Sequence, residues 1–220
     1  EYLKNSIIFP KLIDKNGEPH IMLFYRIYPD IQASLIPLKD LVIMAYDDDY
    51  RRAFWAEQYK PEVRRRNTIM RPERRWEARG DDNYPEGQIS GGSTPLEVEY
   101  TDPITKNRTK AWMMTYNSPT GFKPNGHTLD RVVSMVLLDY KNPYKVISRS
   151  PEPIITPTEQ NEIHGRYPNI TFAIGLDVSP EGELRIYYTA GDQDLVKASC
   201  PLDDMLAYLT QYDAHGRLRS

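Results

Sequence analysis

The 220-residue sequence contains a single cysteine, Cys200, so no internal disulfide can hold its fold together. Lying beside a predicted strand, Cys200 reads as a small packed residue rather than a reactive thiol. Long hydrophobic runs are missing as well: none approaches the roughly 20 residues that cross a bilayer as a helix, and no membrane partner is expected. Nor is there an excess of charge of one sign, because 28 basic residues face 31 acidic ones. That balance argues against a nucleic-acid partner or an anionic membrane surface. The histidines His20, His127, His164 and His215 are scattered without the spacing of a metal site, so no metal is expected. What is present suffices for a core: 40% hydrophobic residues over this length can build one all-β domain or two small ones.

A strand pattern recurs three times. The first copy runs Ile7 to Pro10, a Lys15-Asn16-Gly17 turn, Ile21 to Arg26, then Leu41 to Tyr46 ahead of Asp47-Asp48-Asp49. The second runs Gly91 to Val98, Ala111 to Asn117 and Val132 to Asp139. Ile170 to Val178, Leu184 to Thr189 and Leu195 to Ser199 form the third. Short apolar runs rich in β-branched and aromatic residues, bounded by Gly, Pro, Asn and Asp, predict strands. A recurring unit of three or four of them predicts the blades of a β-propeller, with the aromatic strands innermost. Propellers have roughly 4 to 8 blades, so three copies imply an incomplete ring. The first residues, Glu1-Tyr2-Leu3-Lys4, are neither a start methionine nor a signal peptide. Residues 1–220 are therefore expected to be the C-terminal part of a single propeller domain, with further blades before Glu1.

Between the first two copies, Asp47 to Gly87 mixes Arg64, Arg65, Arg66, Arg71, Arg74, Arg75 and Arg79 with acidic residues, which predicts a solvated loop. The part nearest Trp76 and Glu77 is the exception, where an arginine could reach toward an anion or sugar. Prolines around Ile154-Ile155-Thr156 predict an edge strand or a connector. Apolar residues at helical spacing after Pro201 predict a short helix over Leu202 to Leu209.

The aromatic strands end in polar groups: Tyr25-Arg26, Tyr116-Asn117, and Tyr187-Tyr188 followed by Asp192. Any one alone is an ordinary strand-end residue, but equivalent ends in three copies would gather at one mouth. Gln88, Arg131 and Tyr188 join Arg26, Asn117 and Asp192 as candidate substrate-binding residues. His127, in the loop near Arg131, could reach the same mouth, although a solvated position is the default. Trp112 and Tyr187 suit core packing better than stacking on a sugar.

At these residues the chain resembles glycoside hydrolase family 130, the β-mannoside phosphorylases and hydrolases. Ile8-Phe9-Pro10 to Met22-Leu23-Phe24-Tyr25-Arg26 is similar to that family's Phe-Pro and Leu-His-Arg strands. Gln88 to Leu96, with Gly91-Gly92 and Pro95, is similar to its Lys-Ile-Gly-Gly-rich-Pro segment. Leu137-Leu138-Asp139, Asn142-Pro143 and Lys145 to Ser150 resemble its Leu-Leu-Asp, Asp-Pro and Lys-Val-x-x-Arg-Ser run. Pro168-Asn169-Ile170 with Phe172 and Gly175, then Tyr187-Tyr188 and Asp192, resemble its Pro-Asn-Val-x-Phe and Tyr-Tyr-Gly-Ala-Ala-Asp ending.

The resemblance implies a five-bladed propeller that cleaves β-mannosidic bonds in oligosaccharides, with an Asp as general acid. It implies no cofactor, inorganic phosphate as co-substrate if the protein is a phosphorylase, and leaves room for a homo-oligomer. The family's acid lies earlier, in a Glu-Asp-Pro-Arg type motif that this sequence lacks. Asp102-Pro103 and Asn142-Pro143 lie in other contexts, so no catalytic residue is assigned. Family cations are replaced by Gln88 and Asn117, and the histidine before Arg26 by Tyr25; amides bring hydrogen bonds but no charge to an anion. Asp192 is the best-placed matching carboxylate, and the resemblance gives it sugar hydroxyls to bind. The reading from another class is a glycan-binding or scaffold propeller without catalysis.

Overall fold

The computed structural model describes residues 4–73, 77, 87–120 and 130–219. These form three antiparallel sheets, the first two built to one plan. In the first, β1 (Lys4–Ile8) and β2 (Ile13–Lys15) lie along one side of the long β3 (Glu18–Ile27), which turns into β4 (Asp30–Pro37), edged by β5 (Thr68–Met70). The second repeats this arrangement. There β6 (Ser90–Gly91) and β7 (Leu96–Thr101) share one side of β8 (Arg108–Thr120), followed outward by β9 (Asp130–Asp139) and β10 (Val146–Arg149). The third is the simpler meander β11 (Thr171–Val178), β12 (Glu183–Ala190) and β13 (Asp194–Pro201).

Side chains alternate across a strand, and β8 uses both faces. Trp112, Met114 and Tyr116 pack with Phe9, Met22, Phe24 and Ile31 of the first sheet. Ala111 and Met113 pack with Leu184, Ile186 and Tyr188 of the third and with Leu206 and Leu209 of a C-terminal helix. The second sheet is thus sandwiched, which explains why Ala111 to Tyr116 is almost continuously apolar rather than alternating. Trp112 is a core residue, its ring stacked on Tyr140 and edge-on to Phe9. Cys200 is half-buried against the same core as Leu184, and burial pushes its thiol pKa up.

Three expectations are corrected. The aromatic strands β3, β8 and β12 are paired on both sides, so they are the second strands of their sheets. Edge strands β1, β6 and β11 instead meet around a cavity of about 440 Å3 lined by Ser6, Ile7, Gly91, Phe172 and Ile174. Leu41 to Tyr46 is not a strand but lies in helix α1 (Asp40–Tyr46), since β4 already occupies the place beside β3 in continuous register from Ile27↔Asp30 to His20↔Pro37.

Asp47 to Gly87 is not simply a loop. It carries α2 (Asp48–Gln58), capped by Asp47 accepting from the Tyr50 amide at 2.9 Å, then α3 (Pro61–Asn67) and β5. Pro61 suits a first helical turn, where its missing N–H has no partner to lose. Ile154 to Thr156 is a connector, one of the two roles expected of it, with a single bridge between Ile155 and Val133. After a short α4 (Gln160–Ile163), the predicted C-terminal helix is α5 (Leu202–Leu209).

Candidate functional site

The strand ends that carry the candidate residues are joined in series by backbone hydrogen bonds. Arg26 stands opposite Ile31, and the intervening turn's Pro29 carbonyl accepts from the Ile89 amide at 3.0 Å. Gln88 precedes Ile89, and Ser90 pairs with Asn117. Beyond it on β8, Pro119 pairs with Arg131, whose amide donates to the Asn169 carbonyl at 2.9 Å. Gly191 then donates to the Ile170 carbonyl at 2.8 Å, and Asp192 follows. The row passes through all three sheets, with Arg26 on the first, Asn117 and Arg131 on the second, and Asp192 after β12 on the third.

Their side chains do different work. Asn117 is 1% exposed; its Oδ1 accepts from the Ala173 amide at 2.8 Å and its Nδ2 donates to the Ala173 carbonyl at 3.1 Å. Both halves of the amide thereby tie β8 to β11. The buried Tyr188 hydroxyl donates to Glu162 Oε1 at 2.8 Å, and burial first, then this bond, raises its pKa. Glu162 Oε2 accepts from the Thr158 and Glu159 amides at 2.7 and 2.9 Å. A charge in a dry place is tolerable when its lone pairs are filled this way. Gln88 is buried, while Arg26 and Arg131 are half-buried.

Asp192 is exposed in a left-handed turn at φ 54°, after Gly191 at φ 58°. A Cβ on Gly191 would lie 2.3 Å from the Asn161 carbonyl oxygen and 2.5 Å from Gly165 Cα. Two backbones touch there, and only glycine permits it. The α4 segment is thus fixed beside the Asp192 turn by this glycine contact and by the Tyr188–Glu162 bond. His127 and Trp76 lie outside the described residues.

Next to Asn117 is a buried ionic cluster that the sequence does not announce. Arg149 gives Nε to the Tyr116 hydroxyl at 3.0 Å, Nη1 to the Arg71 carbonyl at 3.0 Å and Nη2 to Glu77 Oε2 at 2.8 Å. Tyr116 donates to Glu77 Oε1 at 2.7 Å, and the Arg149 guanidinium lies over its ring. Burial opposes the Arg149 charge, but Tyr116 and Glu77 outweigh it and raise its pKa. The Tyr116 pKa is raised chiefly by burial. Signals existed only in pieces: Arg149 inside the Lys145 to Ser150 run, Tyr116 before Asn117, and Glu77 beside Trp76.

Three stacked antiparallel sheets, each running from an edge strand at a common cavity, define a propeller-like β protein whose candidate groups sit on strand ends. The structure superposes on β-1,2-mannobiose phosphorylase from Listeria innocua, solved as its β-1,2-mannobiose complex, with a TM-score of 0.61 and 18% identity, covering 94% of this chain and 47% of that one. A family model described as beta-1,4-mannooligosaccharide phosphorylase matches residues 97–211, just over half of the chain. The chain belongs to glycoside hydrolase family 130, the β-mannoside phosphorylase family.

Among its relatives, a β-1,4-mannooligosaccharide phosphorylase from Ruminococcus albus is 24% identical over 212 residues, covering 96% of this chain and 52% of that protein. A 1,2-β-oligomannan phosphorylase from Thermoanaerobacter is 27% identical over 203 residues, covering 92% and 52%. The chain spans about half the length of these relatives, and 31% of a further one from Listeria innocua.

Proposed function

We propose that this chain is the C-terminal part of a single five-bladed propeller domain acting on β-mannosidic oligosaccharides, with the general acid supplied by chain before Glu1. Membership in the β-mannoside phosphorylase family over residues 97–211 is the observation that carries this reading. The row of strand ends supports a sugar site in which Asp192 accepts from hydroxyl groups. Arg26 and Arg131 flank it with positive charge, and Gln88 lies along the same row. Asn117 and Tyr188 serve that site from behind as braces, because their polar atoms are committed to Ala173 and Glu162.

A glycan-binding propeller without catalysis is the second reading. It is favoured by the commitment of Asn117, which stands where the family has a histidine, to a purely structural bond. Phosphorolysis and hydrolysis both require an acid that protonates the leaving oxygen, so the 220 residues alone should bind mannobiose without turning it over. Incubation with β-1,2- or β-1,4-mannobiose, with and without phosphate, should release no mannose or mannose phosphate. Turnover by the isolated chain would overturn the placement of the acid. If the whole protein binds mannobiose but stays inactive, the non-catalytic reading takes over.

A further inference from the structure

Between the first sheet, helices α2 and α3 and the turn after β9 lies a cavity of about 510 Å3, walled by Gln58, Arg66 and Asn67 from the helices, by Lys15 at the end of β2, and by Asn142 and Tyr144. Its size falls within the span of small-molecule sites, about 300–1,000 Å3. Two of the walls are amides more than nine-tenths buried, Gln58 and Asn67. They are locked from behind: Asn67 Nδ2 donates to Gln58 Oε1 at 3.0 Å and Ser34 Oγ at 3.3 Å, and Ser34 Oγ donates to Gln58 Oε1 at 2.7 Å. Tyr25 closes this network through Ser34 at 2.6 Å.

An inventory of the amides shows what is left over. Both N–H groups of Asn67 are used, while its Oδ1 has no hydrogen bond among the described residues. Gln58 Nε2 makes one long contact, 3.4 Å to the Phe54 carbonyl, and keeps a second N–H. The buried pair thus offers one acceptor and one donor in fixed positions. Tyr144 adds a half-buried ring whose hydroxyl, pushed up to about 12 mainly by burial, stays protonated at neutral pH.

The charges on this cavity are one-sided. Lys15 and Arg66 are exposed and make no ion pair among the described residues, and no Asp or Glu lines the cavity among them. Two cations without a counter-ion hold a positive field that an anion can neutralise. A second cavity, around Arg65, Arg71 and Arg149, differs in this respect: Glu73 lines it, bonded to His215. A bare anion would leave most of the 510 Å3 and the amide pair unused.

We propose that this cavity binds a hexose monophosphate, its phosphate held by Lys15 and Arg66 and its hydroxyls by Asn67 Oδ1, Gln58 Nε2 and Asn142. The site is separate from the Asp192 row, and its occupancy is independent of any turnover of mannobiose. Titration calorimetry on the protein with mannose 6-phosphate, mannose and inorganic phosphate tests it. Mannose 6-phosphate should bind at least tenfold more tightly than either of the others. The Lys15→Ala/Arg66→Ala double variant should weaken it at least tenfold with an unchanged melting temperature. Arg65→Ala, on the same helix but lining the other cavity, should leave affinity unchanged. No binding of mannose 6-phosphate overturns the proposal, as does inorganic phosphate binding as tightly, or equal loss in Arg65→Ala, which would reduce the effect to general surface charge.

Discussion

Arg149 is 2% exposed, and each nitrogen of its guanidinium meets an oxygen. Such a charge is stable only while its counter-charge stays in place: breaking a buried pair from one side costs about 3–5 kcal/mol, because the remaining ion is left dry and unpaired. Glu77→Ala should therefore lower unfolding stability by about that amount in urea titrations. Tyr116→Phe, which removes hydrogen bonds but no charge, should cost about 1–3 kcal/mol. A Glu77→Ala loss no larger than that of Tyr116→Phe would show that water reaches the guanidinium. The cluster escaped sequence reasoning for a physical reason. Glu77 lies in a stretch where charges of both signs alternate, which composition reads as solvated, and its partners are 39 and 72 residues away in the chain.

Elements were legible where local pattern and tertiary role agree. Strands β8, β9, β11, β12 and β13 and helix α5 follow from apolar runs and turn residues, since their neighbours bury the faces that the pattern marks. Leu41 to Tyr46 shows the opposite case. Its β-branched run reads as a strand, yet Met44 is the buried residue of this helix, while Val42 is 67% and Tyr46 89% exposed. The strand that does belong there, β4, hides in Ile31 to Ile36, where Gln32 and Ser34 interrupt the apolar signal although both are buried.

Turn chemistry gives a firmer element-scale expectation at Gly191. Alanine there would need a left-handed backbone and would press its Cβ into Asn161 and Gly165. Such strain costs about 1–3 kcal/mol. Gly191→Ala should speed hydrogen exchange at the Tyr167 amide, which donates to the Gly191 carbonyl, and at the Ile170 amide, which donates to Glu162. Unchanged protection there would mean that the α4 segment is held by the Tyr188–Glu162 bond alone.

At the scale of the whole molecule, the three-copy pattern became three sheets, the first two of one plan, but its innermost strands were misplaced. In the first two sheets the inner edge is split into short pieces, β1 with β2 and β6 with β7, so the long aromatic strands β3 and β8 dominate the sequence signal there. The candidate site was legible as a row of strand ends, whereas which of its side chains are free to meet a ligand was not, because that depends on contacts between sheets.

Asn117 and Asp192 make this distinction testable in the whole protein. Asn117→Ala removes both bonds to Ala173 and leaves a buried N–H and C=O unpaired, so it should cost about 1–3 kcal/mol and loosen the third sheet from the second. Asp192→Asn keeps a residue type that tolerates the left-handed turn and makes no new demand on packing at an exposed position. It should leave the melting temperature unchanged while weakening mannobiose binding about tenfold, the worth of one hydrogen bond to a charged acceptor. Calorimetry and thermal melting on both variants read the two roles separately. Undiminished binding by Asp192→Asn would remove this residue from the sugar site, and unaltered stability of Asn117→Ala would return the Asn117 amide to the list of groups available for substrate.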